Sequence, residues 1–281
     1  MDTLVSTGWL AKRLGKAEPL ILDASMHLPA AGRDPREEFE RGHIPGARFL
    51  DLAALRDPRS SLPNTLPSPE QFAAHMGALG AGPGARIVLY DDSVLHSAAR
   101  AWFVIRHYGM DDVTVLDGGM GKWRAEGLPL ETGPVDAAPV AFPPPSPSRS
   151  VRGKADVLAN LAGGAETIVD ARDTERFRAD SGDTVHGLAG GHIPGARNVH
   201  FRQLLAEDGS FRLPEEIRAA FDAAGVDFAK PVVASCGSGV TACVLLFAAH
   251  MIGQRNTALY DGSWAEWGAD PKTPKETGRA A

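Results

Sequence analysis

Cysteine is scarce in this chain: two of 281 residues, Cys236 and Cys243. They lie seven positions apart on a predicted loop and the helix after it, a spacing that disfavours a disulfide. No Cys/His cluster has metal-ligand spacing, so no structural zinc is expected. A reduced, cytoplasmic protein is the expectation. Long apolar runs are also missing. The richest, around 244–249, falls far short of the ~20 residues of a membrane span, so no membrane partner is expected. The N-terminus, Met1-Asp2-Thr3-Leu4-Val5, lacks a basic region followed by a hydrophobic block, which argues against an export signal. Positive charge is dispersed, with 29 Lys and Arg against 35 Asp and Glu and a net charge of -6. That balance argues against a nucleic-acid partner.

What the chain does have is itself, twice. Leu20-Ile21-Leu22-Asp23-Ala24 returns as Thr167-Ile168-Val169-Asp170-Ala171. The string Gly-His-Ile-Pro-Gly-Ala-Arg at 42–48 returns letter for letter at 191–197. Ile87-Val88-Leu89-Tyr90-Asp91 corresponds to Val232-Val233-Ala234-Ser235-Cys236. Leu116-Asp117-Gly118-Gly119 with Trp123 corresponds to Tyr260-Asp261-Gly262-Ser263 with Trp267. Four landmarks in one order, all at nearly the same offset, mark a domain duplication rather than a short solenoid repeat.

The chain therefore divides into an N-terminal domain over 1–133, a Pro-rich linker over 134–150 and a C-terminal domain over 151–281. Phe142-Pro143-Pro144-Pro145-Ser146-Pro147 predicts an extended, semi-rigid connector. Within each copy, short apolar runs ending in Asp or an Asp-Gly turn read as buried strands. Helical stretches, 98–108 and 240–252, follow two of them. Strands alternating with helices predict an α/β fold with a mainly parallel sheet covered by helices. Sites in such folds sit at the carboxyl ends of the strands.

One such end carries Cys236-Gly237-Ser238-Gly239-Val240-Thr241-Ala242, a loop between a buried strand and a helix. Two glycines let the backbone curl so that successive amides point inward and favour an anion. A cysteine in that nest is expected to form a stabilised thiolate, a nucleophile at neutral pH. Cys243, inside the apolar helix, reads as packing. Copy one has Asp91 in place of Cys236. A carboxylate is not the thiolate nucleophile that the loop is built for, so that copy reads as catalytically silent.

The strings Val-Asp-Ala-Arg, Gly-His-Ile-Pro-Gly-Ala, Cys-Gly-Ser-Gly-Val-Thr-Ala and Tyr-Asp-Gly-Ser-Trp resemble the tandem-domain rhodanese family, over about residues 9–267. The resemblance implies two rhodanese-like domains, the first non-catalytic, and a sulfurtransferase that carries sulfur as a Cys236 persulfide, with no cofactor. A small-molecule sulfur donor is implied, together with a thiol acceptor such as thioredoxin or glutathione, or cyanide.

Donor preference follows the loop. Thiosulfate enzymes of the family typically carry basic residues after the cysteine, whereas this neutral loop looks like the branch that uses 3-mercaptopyruvate. Ser238 is the candidate to donate a hydrogen bond to the keto oxygen of that donor. Gly237, Gly239, Val240 and Thr241 are expected to line the substrate, and Arg176 matches the family's arginine for the anion, gripping a carboxylate. Arg172 is expected to brace the loop or pair with a nearby acid. That branch often has a second arginine just before the second Gly-His-Ile-Pro-Gly; here the stretch reads Val185-His186-Gly187. His43 is a candidate proton relay with Ser238, and Asp34 a candidate to orient it, while His192 reads as structural. Two alternatives stay open: a thiosulfate:cyanide sulfurtransferase, and a persulfide relay fed by a partner protein. A cysteine phosphatase is disfavoured because Ala242 stands where its loop arginine belongs.

Overall fold

A computed structural model describes residues 3–147 and 151–279. It divides into two compact units. The first comprises Met1–Pro58, Leu66–Arg149 and Glu207–Phe211; the second comprises Arg59–Thr65, Ser150–Ala206 and Arg212–Ala281. The duplication is thus not cut cleanly at the linker. Each unit includes one short segment from the other half of the sequence. The predicted linker, as far as it is described, belongs to unit 1. There the Val140 amide donates to Gly77 O at 2.9 Å, and Phe142 stands edge-on to the Phe72 ring. Residues 148–150 of that stretch lie outside the described residues.

Unit 1 contains β1 (Leu4–Val5), β2 (Leu20–Asp23), β3 (Arg48–Phe49), β4 (Ile87–Tyr90) and β5 (Val113–Leu116), and its helices include α1 (Thr7–Ala11), α2 (Pro35–Arg41), α3 (Pro69–Ala78), α4 (Ala98–His107) and α5 (Gly119–Ala125). The sheet order is β1-β5-β4-β2-β3, every pairing parallel. Unit 2 repeats this with β6 (Val151–Arg152), β7 (Thr167–Asp170), β8 (Arg197–Asn198), β9 (Val232–Ser235) and β10 (Thr257–Tyr260) in the order β6-β10-β9-β7-β8, again parallel. Its helices are α6 (Lys154–Gly163), α7 (Thr174–Arg178), α8 (Pro214–Ala223), α9 (Ala242–Met251) and α10 (Ser263–Trp267). This is the α/β architecture that the alternation predicted.

The central strands are apolar because both faces are covered; all four residues of β4 and of β9 are buried. In unit 2, Ile168, Val233 and Ala258 on the sheet pack with Phe177, Trp264 and Trp267 in one core. Unit 1 repeats this core with Ile21, Val88, Phe39 and Trp123. Helix α9 is buried from Ala242 through Ala249, which explains its lack of a polar stripe. Among the described residues no helix is long and apolar enough to cross a membrane.

Candidate active site

Strand β9 ends at Ser235, and the chain turns through 236–241 before α9 begins at Ala242. Gly239 has φ +78, a conformation that side-chain-bearing residues rarely adopt. The turn brings its amide back onto the cysteine, so that Gly239 N–H donates to Cys236 Sγ at 3.1 Å. The other end of the loop is fixed by α10. Ser263 Oγ accepts from the Cys236 amide at 3.1 Å, Trp264 N donates to Cys236 O at 2.9 Å, and Ala265 N donates to Gly237 O at 2.8 Å. Cys236 is buried, which shields the sulfur from bulk water. Cys243, the second residue of α9, is buried, and its thiol donates to Gly239 O at 3.2 Å.

Two elements flank the loop within unit 2. Arg172, just past β7, is buried; it grips Asp170 through Nε and Nη2, and the Gly191 carbonyl through Nη2 at 2.6 Å. Its guanidinium lies 4.4 Å from the centroid of the Trp264 ring, which joins it to the helix that holds the loop. Burial works against its charge, but Asp170, Asp183 and the nearby Cys236 outweigh it and hold the arginine even more firmly protonated than usual.

Arg176, on α7, is one-fifth exposed; Nε meets Asp173 at 2.5 Å and Nη1 meets Asp183 at 3.5 Å. Asp183 is the hub of this side of the site. Its carboxylate is wholly buried and accepts from His186 Nδ1 at 3.0 Å, with Arg172 Nη1 at 3.6 Å. Burial pushes its pKa up, but the His186 hydrogen bond and the charges of His186, Arg176 and Arg172 win, taking it down to about 2. The turn carrying His186 is closed by paired backbone hydrogen bonds between Asp183 and Leu188, of 2.8 and 3.1 Å. His186 packs so tightly on the cysteine loop that a Cβ built on Gly237 would stand 2.2 Å from its Cε1. Arg176 and Cys236 are thus linked through Asp183, His186 and Gly237.

Ser238 has a partner that sequence reasoning missed: Asn64 Nδ2 donates to its Oγ at 3.0 Å. Asn64 lies in the 59–65 segment of unit 2, at φ +57. Asp183 and Ser263 were not singled out as site residues either. Among the described residues no group of three or more His, Cys, Asp or Glu is placed to hold a metal ion.

His43 does not have the setting of a proton relay. It is fully buried in unit 1, stacked on Phe39 at 4.0 Å, with Nδ1 bonded to Phe39 O at 2.8 Å. His192 repeats the arrangement, stacked on Phe177 at 3.8 Å with Nδ1 bonded to Phe177 O at 2.8 Å. Both histidines pin their Gly-His-Ile-Pro-Gly turn to the preceding helix. Asp34 does not orient His43; it is the N-cap of α2, accepting from the amides of Arg36 and Glu37.

At the matching loop of unit 1, Asp91 turns inward, accepting from Ala98 N at 2.6 Å and Ser93 N at 3.0 Å. Burial pushes its carboxyl up to about 6. Asp91 therefore fastens the start of α4 and presents no nucleophile.

A cysteine held by a loop amide at the carboxyl end of a parallel strand has the setting of a cysteine nucleophile in a transferase of α/β fold. The family model for the rhodanese-like domain matches residues 6–126 and 154–270, and the chain belongs to the rhodanese family. Human 3-mercaptopyruvate sulfurtransferase is 42% identical over 94% of this chain and 91% of its own length. Bovine thiosulfate sulfurtransferase is 40% identical over 94% and 91%. The crystal structure of SseA from Escherichia coli, described as a 3-mercaptopyruvate sulfotransferase, superposes with a TM-score of 0.86 at 39% identity, covering 94% of this chain and 99% of that one.

Proposed function

We propose that the chain is a sulfurtransferase that moves sulfane sulfur from 3-mercaptopyruvate to a thiol or cyanide through a persulfide on Cys236. The observation that carries this reading is the Gly239 amide on Cys236 Sγ, in a loop that contains no charged side chain. A dianion such as thiosulfate favours cations in the loop; a monoanionic keto acid needs one cation at its carboxylate and a neutral donor at its keto oxygen. Arg176 and Ser238 supply that pair.

The Cys236 thiolate attacks the sulfur of the donor. The carbon–sulfur bond breaks, its electron pair passes to carbon as the pyruvate enolate, and a proton from Ser238 or water completes pyruvate. The outer sulfur stays on Cys236 as a persulfide, its negative charge stabilised by the loop amides at 237 and 239–241. An acceptor thiolate or cyanide then attacks the outer sulfur, and the sulfur–sulfur electron pair returns to Cys236. Thioredoxin, glutathione and cyanide all have the required nucleophile, and a cytoplasmic setting keeps such thiols reduced. The buried His43 is left out of the proton path.

The test is steady-state transfer to cyanide from 3-mercaptopyruvate and from thiosulfate side by side, with mass spectrometry of Cys236. The expected result is a strong preference for mercaptopyruvate, one added sulfur on Cys236, and no transfer by Cys236→Ser. Preference for thiosulfate would leave the nucleophile standing and overturn the donor assignment. A persulfide without turnover of either donor would favour a relay fed by a partner protein.

A further inference from the structure

We propose that Cys243 is a positioning residue for the nucleophile: its thiol holds the Gly239 carbonyl, and so keeps the Gly239 amide on Cys236 Sγ. This role rests on the reading of Cys236 as the nucleophile given above, and is the same whichever donor supplies the sulfur.

Two hydrogen bonds meet on Gly239. Its N–H donates to Cys236 Sγ at 3.1 Å, and its carbonyl accepts from the Cys243 thiol at 3.2 Å. Between them the backbone stands at φ +78, and glycine moves readily between positive and negative φ. An amide carried by such a residue keeps one direction only if the residue is tethered. Helix α9 provides the tether. Cys243 is wholly buried within a run of buried side chains from Ala242 through Ala249, so its thiol is fixed to the core of unit 2. Its amide donates to Val240 O at 3.0 Å, so backbone and side chain both reach back into the loop. A donor already in place needs no reorganisation when negative charge returns to Cys236 as the outer sulfur leaves.

The duplication offers a comparison. The chain enters α9 through Thr241-Ala242-Cys243 and α4 through Ser97-Ala98-Ala99, and the two residues that open each helix are buried in both units. Unit 1 therefore packs the start of its helix with alanine alone. There the Ala98 amide grips the Asp91 carboxylate directly, at 2.6 Å. The thiol stands only in the copy whose loop carries Cys236, and what it adds over alanine is a donor.

The test compares Cys243→Ala, the residue that unit 1 already accommodates, with Cys243→Ser, which keeps a donor. Two rates are read: steady-state transfer from 3-mercaptopyruvate to cyanide, and alkylation of Cys236 by iodoacetamide, located by mass spectrometry, which needs no sulfur donor. Cys243→Ala should lower kcat and the alkylation rate by about fivefold each, the scale of one neutral hydrogen bond, with KM for the donor within about twofold. Cys243→Ser should restore both rates to within about twofold of wild type, a rescue that loss of packing would not give, since a hydroxyl is smaller than a thiol. Alanine rates equal to wild type, or serine rates as low as those of alanine, would overturn the inference while leaving the function intact. The alkylation pattern without turnover of mercaptopyruvate would uphold the positioning role and remove the donor assignment. A wild-type Cys236 inert to both reagents would overturn the reading beneath it, and the inference with it.

Discussion

Ser263 Oγ accepts from the Cys236 amide at 3.1 Å while donating to Tyr260 O at 2.8 Å, so one hydroxyl ties the nucleophile to the end of β10. Ser263 adopts φ +49, and the matching residue of unit 1 is Gly119 at φ +54. The two loops otherwise share a backbone contact, Trp264 N to Cys236 O and Met120 N to Asp91 O, both 2.9 Å. A side chain with an unfavourable backbone angle, present only where the cysteine is, points to the hydroxyl's role in holding the cysteine.

Ser263→Gly should keep the loop conformation, since glycine tolerates that angle, but leave the Cys236 amide without its partner. An orphaned buried N–H costs about 1–3 kcal/mol. The expected outcome is a fall in kcat/KM of about tenfold, with a loss of thermal stability from the orphaned amide that relief of the strained φ at 263 offsets in part. Equal kcat/KM for the two proteins would show that the tie does not matter to catalysis.

Asn64 fixes Ser238 through its side-chain amide. Its NH2 donates to Oγ, so the serine's own hydrogen is left for another acceptor, which under the proposed function is the keto oxygen of the donor. Asn64→Asp reverses this, because a carboxylate only accepts and draws the serine hydrogen to itself. Asn64→Ala should lower kcat by roughly three- to tenfold and Asn64→Asp by more, the order following from a net hydrogen-bond worth of about 1 kcal/mol against a misdirected donor. The reverse order, read from kcat with mercaptopyruvate, would mean that Ser238 donates to Asn64.

The fold was legible in the sequence because three of the repeated landmarks fall on the long central strands and the turns after them, and the fourth on the turn that enters β3 and β8. The edge strands β1, β3, β6 and β8 are two residues each, too short for any periodicity to register. The cysteine loop was legible because strand, cysteine, glycines and helix are contiguous. Asn64 was not, since nothing local ties it to Ser238, which is distant in the chain. Asp183 and His186 sit in a turn with neither helical nor strand period, and only the packing of the ring on Gly237 gives them meaning. The relay role of His43 came from the family resemblance and not from the repeated motif; the ring stacked on Phe39 explains the motif by packing.

The two halves of the duplication differ in how they treat one buried aspartate. Asp170 has Arg172 two residues on, whereas Asp23 at the same place has Ser25. Without a cation, burial pushes the Asp23 carboxyl up to about 6, and Asp91 beside it is pushed to about 6 as well. Both are near 3.9 in the unfolded chain. Between these values the native state holds protons that the unfolded state has released. Unit 1 should therefore lose stability as pH rises from about 4 to about 6 and change little above that range on this account. Carbon-13 titration of labelled aspartates should show two midpoints near 6, one missing in Asp23→Asn and the other in Asp91→Asn. Midpoints near 4 for both would show that water reaches these carboxyls.

His43 and His192 give the sharpest separation of structure from chemistry, because each pins an identical turn in a different unit. Removing either ring deletes a stacked aromatic contact and the bond to a helix carbonyl, so His43→Ala and His192→Ala should each cost roughly 3 kcal/mol of stability, in the range for emptying a buried aromatic site. The loss should appear in unit 1 for the first variant and in unit 2 for the second, read by hydrogen exchange of β4 and β9 amides. Activity per active site, counted by alkylation of Cys236, should stay within about twofold for His43→Ala. If instead kcat fell a hundredfold with stability unchanged, His43 would be a proton carrier after all, and its burial against Phe39 would have to open during turnover.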